Sequence, residues 1–310
     1  ALSAARLAGR GDKIAADQAA VDAMRVVLGT VSMDGVVVIG EGEKDEAPML
    51  YNGERVGTGH APATDIAVDP LDGTTLTAKG MPNAVAVIAV ADRGSMFSPG
   101  PAVYMEKMAG GDDIADLLSL DEPIEDVLAK IAARRHVGIR DLVVVVLDRP
   151  RHEEMIGRIR AAGARIRLIS DGDVAGVLMA VLPDIGIDLL WGVGGTPEGV
   201  IAAAAVKAVG GKLIGRLWPR TPEEREAIVA AGIDVERILT TDDLIASDNC
   251  FFAATGVTTG DFLRGVRFDE RGAVTHSLIM RSRSGTVRRV HAEHRRDKLD
   301  WLMGGQTQTV

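Results

Sequence analysis

The sequence predicts an α/β fold, in which strands and helices alternate along most of its 310 residues. Short apolar runs of strand length, such as Val36 to Ile39 and Leu142 to Leu147, each lead into a loop and then into a segment with helical periodicity. After Cys250 the pattern changes, and the short segments around Gly272 and Gly285 are typical of antiparallel strands. These observations predict sheets with helical crossovers and a terminal antiparallel hairpin.

The elements of the N-terminal half follow from their boundary residues. A helix is predicted from Asp12 to Leu28, because Gly29 just past its end is a common helix stop. The β-branched run Val36 to Ile39 predicts the first strand. Two further strands are predicted at Ile66 to Val68 and at Ala84 to Ala91.

The C-terminal half is more regular. Pro123 marks the start of a helix with one apolar face, and Ala164 to Ile169 and Ile187 to Trp191 predict strands. Thr196 is the predicted N-cap of the alanine-rich helix that follows. Thr221 begins another helix, since a proline and then glutamates come directly after it.

Composition and charge exclude several classes of protein. The formal net charge of −9 argues against nonspecific nucleic-acid binding as the main role. Cys250 is the single cysteine, so no internal disulfide can form, and we predict an inert core thiol. The longest apolar runs are far shorter than a membrane span, and Ala1 to Gly11 lacks the apolar core of a signal peptide. We therefore expect a soluble cytoplasmic protein without a membrane or nucleic-acid partner.

Two acidic positions admit a functional and a simpler interpretation. Asp17 shares one helical stripe with Val21 and Leu28, and an aspartate on a buried stripe needs compensation for its charge. A surface aspartate at the edge of the stripe is the simpler interpretation. Glu41 and Glu43 stand in a glycine-rich turn directly after a strand, where they either converge on one point or form a solvated acidic loop.

The segment from Asp69 to Thr75 carries the strongest signal. Asp69 and Asp72 follow a strand, Pro70 fixes the backbone between them, and Gly73 allows a turn into a helix. The two carboxylates can converge on cations, with the Thr74 hydroxyl beside them. Without a cation their mutual repulsion predicts a strongly raised pKa.

Glu198 lies at the start of a helix, where a carboxylate interacts favourably with the helix dipole even without a function. The preceding glycines at 192–195 suggest a dinucleotide-binding turn. However, the segment lacks the last glycine of the Gly-x-Gly-x-x-Gly spacing and comes late in the chain. We therefore do not predict a dinucleotide site.

Three segments together resemble one family. They are residues 40–50 (GEGEKDEAPML), 69–75 (DPLDGTT) and 194–199 (GGTPEG). The second segment alone is similar to the lithium-sensitive, metal-dependent sugar and inositol phosphatases. The first and third narrow the resemblance to the class II fructose-1,6-bisphosphatases, and the similarity runs from about residue 11 to the final hairpin.

The resemblance implies a set of ligands and contacts. The implied metal ligands are Asp17, Glu41, Asp69, Asp72 and Glu198. The implied substrate-binding residues are Asp72, Gly73, Thr74, Tyr104, Arg149, Pro150, Arg151, Asp171, Gly172, Asp173 and Gly195. Thr196 stands where relatives have small residues such as Ala, and Arg149 stands where a lysine is also found.

The chemistry of these residues predicts a cofactor and a mechanism. Oxygen donors without His or Cys favour Mg²⁺ or Mn²⁺ over Zn²⁺ or copper. Two such ions about 4 Å apart would hold the scissile phosphate and activate a water, with Asp69 as the candidate bridging ligand. Thr74 would orient or deprotonate that water, paired with Glu43 or Asp45.

The basic loop after a predicted strand supplies the second half of the site. Arg149 and Arg151 flank a proline, where they suit bidentate contacts to a distal phosphate, and Tyr104 would donate its hydroxyl. Without the resemblance, a solvated basic loop is an equally good interpretation. With it, the sequence indicates a bisphosphate substrate.

The resemblance thus implies hydrolysis of fructose 1,6-bisphosphate to fructose 6-phosphate in gluconeogenesis, with inhibition by Li⁺. Alternatives are sedoheptulose 1,7-bisphosphatase activity, an activity like that of inositol monophosphatase, and a non-catalytic sugar-phosphate sensor. The family's architecture is a layered α-β-α-β-α sandwich of two sheets with the active site in the cleft between them. A soft boundary divides residues 1–111, which carry the metal motifs, from 112–310, which carry the distal-phosphate site. We expect a homo-oligomer, either a dimer or a tetramer.

Overall fold

Two β-sheets, separated and flanked by helices, build the protein, and the computed structural model describes residues 1–41 and 50–299. The strands are β1 (Asp34–Ile39), β2 (Arg55–Val56), β3 (Ala63–Asp72), β4 (Val85–Asp92), β5 (Tyr104–Gly110), β6 (Val143–Leu147), β7 (Arg165–Ile169), β8 (Leu189–Gly195), β9 (Lys212–Leu217), β10 (Ile238–Thr240), β11 (Phe251–Gly256), β12 (Arg267–Asp269), β13 (Gly272–Arg281) and β14 (Thr286–Arg295). The helices are α1 (Leu2–Ala5), α2 (Lys13–Leu28), α3 (Thr74–Lys79), α4 (Ile124–Arg135), α5 (Glu153–Ala161), α6 (Asp173–Val181), α7 (Thr196–Ala208), α8 (Pro222–Ala230) and α9 (Thr241–Leu244).

Both sheets are mixed. The first has the order β12-β13-β11-β4-β3-β1-β2, and β14, which is outside this order, also pairs with β13. In this sheet β1 and β3 are parallel neighbours. The second has the order β10-β9-β5-β8-β6-β7, in which β6 is parallel to both β7 and β8. Each sheet therefore has a group of parallel strands whose carboxyl ends point the same way.

The helices form three layers around the two sheets. Helix α7 contacts β3, β4 and β11 of the first sheet and β5, β8 and β9 of the second. The alanines at 202–205 in α7 are fully buried, and their small side chains allow a sheet to pack on each side of the helix. Helix α2 packs on β3, while Val127 of α4 and Ile159 of α5 join the apolar cluster on the other side of the second sheet. This confirms the predicted α-β-α-β-α sandwich.

Several predicted elements are confirmed. Helix α2 spans almost the predicted range, and the Asp12 carboxylate caps it by accepting a hydrogen bond of 2.9 Å from the Ala15 N–H. The terminal hairpin of β13 and β14 pairs from Gly272–Arg295 to Arg281–Thr286 and joins the first sheet. Antiparallel pairing therefore connects the end of the described chain to its beginning.

The structure differs from the prediction in its strands and at one helix start. The sequence analysis assigned no strand to β2, β5, β9 or β10, and of these β5 and β9 lie in the interior of the second sheet. Thr196 is the first residue of α7 rather than its N-cap, because β8 extends to Gly195 and the helix begins directly after it. The Thr196 side chain is fully buried, and its hydroxyl has no hydrogen-bond partner among the described residues, so it does not cap the helix.

Strands from both ends of the chain contribute to the first sheet, since β11 to β14 join β1 to β4. The division of the chain at residues 111 and 112 stays a prediction. Over the ranges 1–41 and 50–299, no helix is both long enough and apolar enough to cross a membrane.

Candidate active site

The candidate site lies where parallel strands of both sheets end. Glu41 follows β1, and Asp72 is the last residue of the neighbouring β3. In the second sheet, Arg149 follows β6, Asp171 follows β7, and Glu198 lies in the first turn of α7 after β8. Open α/β sheets bind their ligands outside the carboxyl ends of parallel strands, so the topology gathers these side chains within each sheet. One cleft lined by Asp72, Arg149, Asp171 and Glu198 brings the two groups together.

Two glycine turns join the loops of the two sheets. Gly73 and Gly172 adopt left-handed backbone conformations, with φ of 94° and 87°, at the N-caps of α3 and α6. The Asp171 carboxylate accepts a hydrogen bond of 3.2 Å from an N–H in the first turn of α3. The Asp72 carboxylate accepts one of 3.0 Å from an N–H in the first turn of α6. Each loop therefore caps the helix of the other, which fixes both acids.

Gly194 and Gly195 leave room for two further carboxylates. A Cβ atom at Gly194 would lie 2.1 Å from Oδ2 of Asp173, and one at Gly195 would lie 1.7 Å from Oε2 of Glu198. Both distances are far below van der Waals contact. The glycine-rich run is therefore explained by the close approach of two acids.

Burial and mutual repulsion raise the pKa values of the acids. Burial, followed by the charges of Asp17 and Glu198, raises the pKa of Glu41 to about 7. Burial and the charges of Asp72, Glu41 and Glu198 raise the pKa of Asp69, and burial raises that of Asp17. The sequence analysis expected such shifts for carboxylates that converge without a cation.

A buried lysine lies next to these acids. Burial raises the pKa of Glu198, the positive charge of Lys107 opposes this, and the charge of Asp173 adds to it. Burial also raises the pKa of Asp72 against the hydrogen bond that α6 donates to it, and Asp173 and Glu198 raise it further. One ammonium group therefore offsets only part of the negative charge.

The residues of the cluster fit hard divalent cations. All the acids offer carboxylate oxygens, the ligands that Mg²⁺ and Mn²⁺ prefer. Oε2 of Glu198 is buried and has no hydrogen-bond partner within the described ranges. A buried carboxylate oxygen without a donor is energetically unfavourable, and a cation would satisfy it. In residues 1–41 and 50–299 no three His, Cys, Asp or Glu side chains form a closed ligand set. The fit therefore rests on donor chemistry and on the unpaired oxygen.

Arginines line the same cleft, which has a volume of about 290 Å³ and also contains Asp72 and Glu198. Arg149 donates a hydrogen bond of 2.7 Å to the Ser170 carbonyl, and Arg151 donates bonds of 3.1 and 2.7 Å to the Val193 carbonyl. Partial burial and the charge of Arg149 lower the pKa of Arg151. The backbone thus holds two guanidinium groups beside the acids.

The ring of Tyr104 completes the basic side of the cleft. The Arg151 guanidinium lies 5.1 Å from the ring centroid, and that of Arg220 lies 5.0 Å from it. Both distances are within the range of cation–π contacts. Two positive charges therefore border the residue whose hydroxyl was predicted to contact a distal phosphate.

His152 supports the arginine loop from below. It is fully buried, its Nδ1 lies 2.7 Å from the Leu147 carbonyl, and its Nε2 accepts a hydrogen bond of 2.8 Å from the Val193 N–H. This pattern requires a neutral ring that donates from Nδ1. Burial lowers the pKa of His152, and the charge of Arg151 lowers it further.

Comparison with known proteins identifies the family. A profile of the bacterial fructose-1,6-bisphosphatases encoded by glpX matches residues 1–294. The class 2 fructose-1,6-bisphosphatase of Haemophilus influenzae is 44% identical over 312 residues, which cover 96% of this chain and 93% of the relative. Fructose-1,6-bisphosphatase 1 class 2 of Escherichia coli is 44% identical over 313 residues, covering 97% and 93%. The chain belongs to this family.

Membership in the glpX-encoded fructose-1,6-bisphosphatase family confirms the resemblance seen in the sequence, and it makes the chain an enzyme of a metal-dependent phosphatase family. The roles of individual residues stay predictions. Glu43 and Asp45, the predicted partners of Thr74, lie outside the described residues. Thr74 itself is the half-buried first residue of α3.

Sequence reasoning missed three residues of the site. On one face of β5, the charged Lys107 stands between the apolar residues Met105 and Ala109. A single charge within an apolar strand face was the signal that could have identified it. Arg220 and His152 gave no comparable local signal, because the contacts that bring them to the site, with Tyr104 and Val193, are distant in sequence.

Proposed function

We propose that the chain hydrolyses fructose 1,6-bisphosphate to fructose 6-phosphate and inorganic phosphate, with Mg²⁺ or Mn²⁺ as cofactor. The observation that carries this proposal is one cleft that contains Asp72 and Glu198 together with Arg149 and Arg151. A substrate with two phosphates suits a site with an acidic, cation-binding part and a separate basic part. The relatives are named for this substrate.

The acids would hold the cations. The candidate ligands are Asp17, Glu41, Asp69, Asp72 and Glu198. When bound, divalent ions supply positive charge that neutralises these carboxylates, activates water and stabilises the leaving oxygen. The protein's part is to hold the acids together against their repulsion, which the paired turns at Gly73 and Gly172 do for Asp72.

The remaining residues bind and orient. The Thr74 hydroxyl orients the attacking water. Glu43 or Asp45 is the acid that accepts the proton which this water loses. Arg149 and Arg151 bind the distal phosphate through N–H groups not used by the backbone carbonyls. The Tyr104 hydroxyl donates a further hydrogen bond to that phosphate.

The sugar lies between the two phosphates. The residues that would contact it are Asp171, Gly172, Asp173 and Gly195. Asp171 and Asp173 are hydrogen-bond acceptors, which suits sugar hydroxyl groups. Because α6 begins at Asp173, the sugar-binding loop is fixed to the same helix that Asp72 caps.

A panel of substrates tests the proposal. Phosphate release with Mg²⁺ or Mn²⁺ is measured on fructose 1,6-bisphosphate, sedoheptulose 1,7-bisphosphate and inositol monophosphate. We expect the highest kcat/KM for fructose 1,6-bisphosphate and inhibition by Li⁺. A higher value for either other substrate would reassign the activity, and no phosphate release from any of them would indicate a sensor.

We also propose that the protein acts in the cytoplasm as a homo-oligomer, a dimer or tetramer. Phe251 and Ile279 lie on the same face of the first sheet and are 39% and 36% exposed. Val27 of α2 is 38% exposed beside that face. Apolar side chains in this arrangement favour a subunit contact. The molecular mass in solution, measured by light scattering, would test this, and a monomer would contradict it.

A further inference from the structure

The side chain of Lys107 is buried where an apolar residue would fit. It stands in the middle of β5 and is 1% exposed. Met105 and Ala109, two residues before and after it on the same strand face, are both buried and apolar. Burying an ammonium group is unfavourable by several kcal/mol unless it is paired and hydrogen-bonded. The position therefore calls for a role that a methionine could not fill.

The contacts of the ammonium group show what it holds. Nζ of Lys107 donates to the carboxylate of Asp173 and, at 2.8 Å, to the carbonyl of Gly195. A Cβ atom at Gly199 would lie 3.7 Å from Nζ, so the ammonium sits beneath the first turn of α7. Asp173 begins α6, and Gly195 ends β8. One side chain thus connects three elements at the cleft.

We propose that Lys107 is a positioning residue, whose ammonium group fixes the Asp173 carboxylate and the Gly195 carbonyl for contact with the sugar of the substrate. This inference rests on the proposed function. Lys107 lies behind Asp173 and Gly195, which line the cleft, and is not itself among the lining residues. It therefore acts through these two groups and not on the reacting phosphate.

Asp173 needs such a restraint because of its neighbours. Asp72 and Glu198 carry charge close enough to Asp173 for all three to affect one another. A carboxylate without a cationic partner would rotate away from this repulsion. The bond to Lys107 occupies Oδ2, and Oδ1 is left as an acceptor for a sugar hydroxyl.

The test compares two substrates on the Lys107→Met enzyme with Mg²⁺. Fructose 1,6-bisphosphate uses the sugar contacts, whereas p-nitrophenyl phosphate has no sugar hydroxyl. We expect KM for the bisphosphate to rise at least ~10-fold, since a hydrogen bond to a charged group is lost. The loss in kcat/KM for p-nitrophenyl phosphate should be much smaller, because there only the charge of Lys107 near Glu198 is missing. Lys212→Met, a half-buried lysine of the same sheet that is outside the cleft, should change neither.

A second variant keeps the inference testable if Lys107→Met does not fold. Lys107→Met combined with Asp173→Asn removes both charges of the pair, so the fold should recover while KM for the bisphosphate stays raised. An unchanged KM in either folded variant, or an equal loss on both substrates, would overturn the positioning role. Failure of the wild-type enzyme to hydrolyse fructose 1,6-bisphosphate would instead overturn the proposed function.

Discussion

The acidic and basic parts of the cleft differ in how completely the protein itself satisfies them. The guanidinium groups of Arg149 and Arg151 are bonded to the backbone carbonyls of Ser170 and Val193. The acids repel one another, and Oε2 of Glu198 has no partner among residues 1–41 and 50–299. The protein's own backbone therefore holds the basic part in place, whereas the acidic part keeps unbalanced negative charge that cations would neutralise.

This difference between the two parts predicts that substitutions in them have different effects on catalysis. Changes to the acidic part should act on turnover and should depend strongly on metal ions. Changes to the basic part should act mainly on substrate affinity and should be graded, because its geometry is fixed by main-chain atoms.

Removal of divalent cations should have the largest effect. We expect EDTA to lower turnover of fructose 1,6-bisphosphate by at least ~10³-fold, because the ions supply several kcal/mol of transition-state stabilisation. Added Mg²⁺ or Mn²⁺ should restore it. Circular dichroism of the chelated protein serves as the control for folding. Full activity after chelation would contradict the assignment of the acids as cation ligands.

Loss of the Thr74 hydroxyl should have the next largest effect. Thr74→Val keeps the shape of the side chain, and we expect kcat to fall at least ~10²-fold, as is typical for loss of a group that assists proton transfer. Thr74→Ser retains the hydroxyl and should lose much less. Equal turnover by the Val and Ser variants would remove Thr74 from the mechanism.

Replacement of an arginine should be milder. We expect Arg151→Met to raise KM for fructose 1,6-bisphosphate by roughly 10-fold with little change in kcat, since it removes a charged donor to the distal phosphate. Arg283→Met, at an exposed position between β13 and β14, is the matched control. If kcat fell while KM stayed constant, the two parts of the cleft would not be separate.

The sequence was sufficient for those parts of the site that are local. Asp69 to Thr75 joins a strand end, a glycine turn and a helix start within seven residues, and these features can be predicted from residue types. Asp17 was ambiguous, because its stripe does not reveal what faces it. The resemblance to the phosphatases implies that Asp17 is a metal ligand, whereas periodicity does not, and this role stays a prediction.

The parts that could not be predicted depend on long-range contacts. Asp171 caps α3 from 96 residues away, and Asp72 caps α6 from 103 residues away, so no local pattern contains either bond. β5 was missed because its sequence, YMEKMAG, has no β-branched residue, and its strand conformation comes from pairing with β8 and β9. Lys107 was missed together with its strand.

The smallest expected effect is on the free energy of unfolding as the pH changes. The acidic and basic parts of the cleft should change it in opposite directions. In the fold the pKa of Glu41 is about 7, above its ordinary value of 4.5, so the folded state takes up a proton at a higher pH than the unfolded state. The metal-free protein should therefore be more stable at pH 6 than at pH 8, by about 1 kcal/mol from this group. Chemical denaturation in EDTA measures the difference, and Glu41→Gln should reduce it.

His152, beneath the arginine loop, should respond in the opposite direction. Its pKa is lowered below the ordinary 6.5, so below that pH the unfolded state takes up a proton that the folded state does not, and its contribution to stability is lost. On acidification, Glu41 should make the metal-free protein more stable. Saturating Mg²⁺ should abolish this gain in stability, because a bound cation keeps the carboxylate ionised. It should leave the His152 loss unchanged. If Mg²⁺ altered neither trend, the acidic part would not be the region that needs cations.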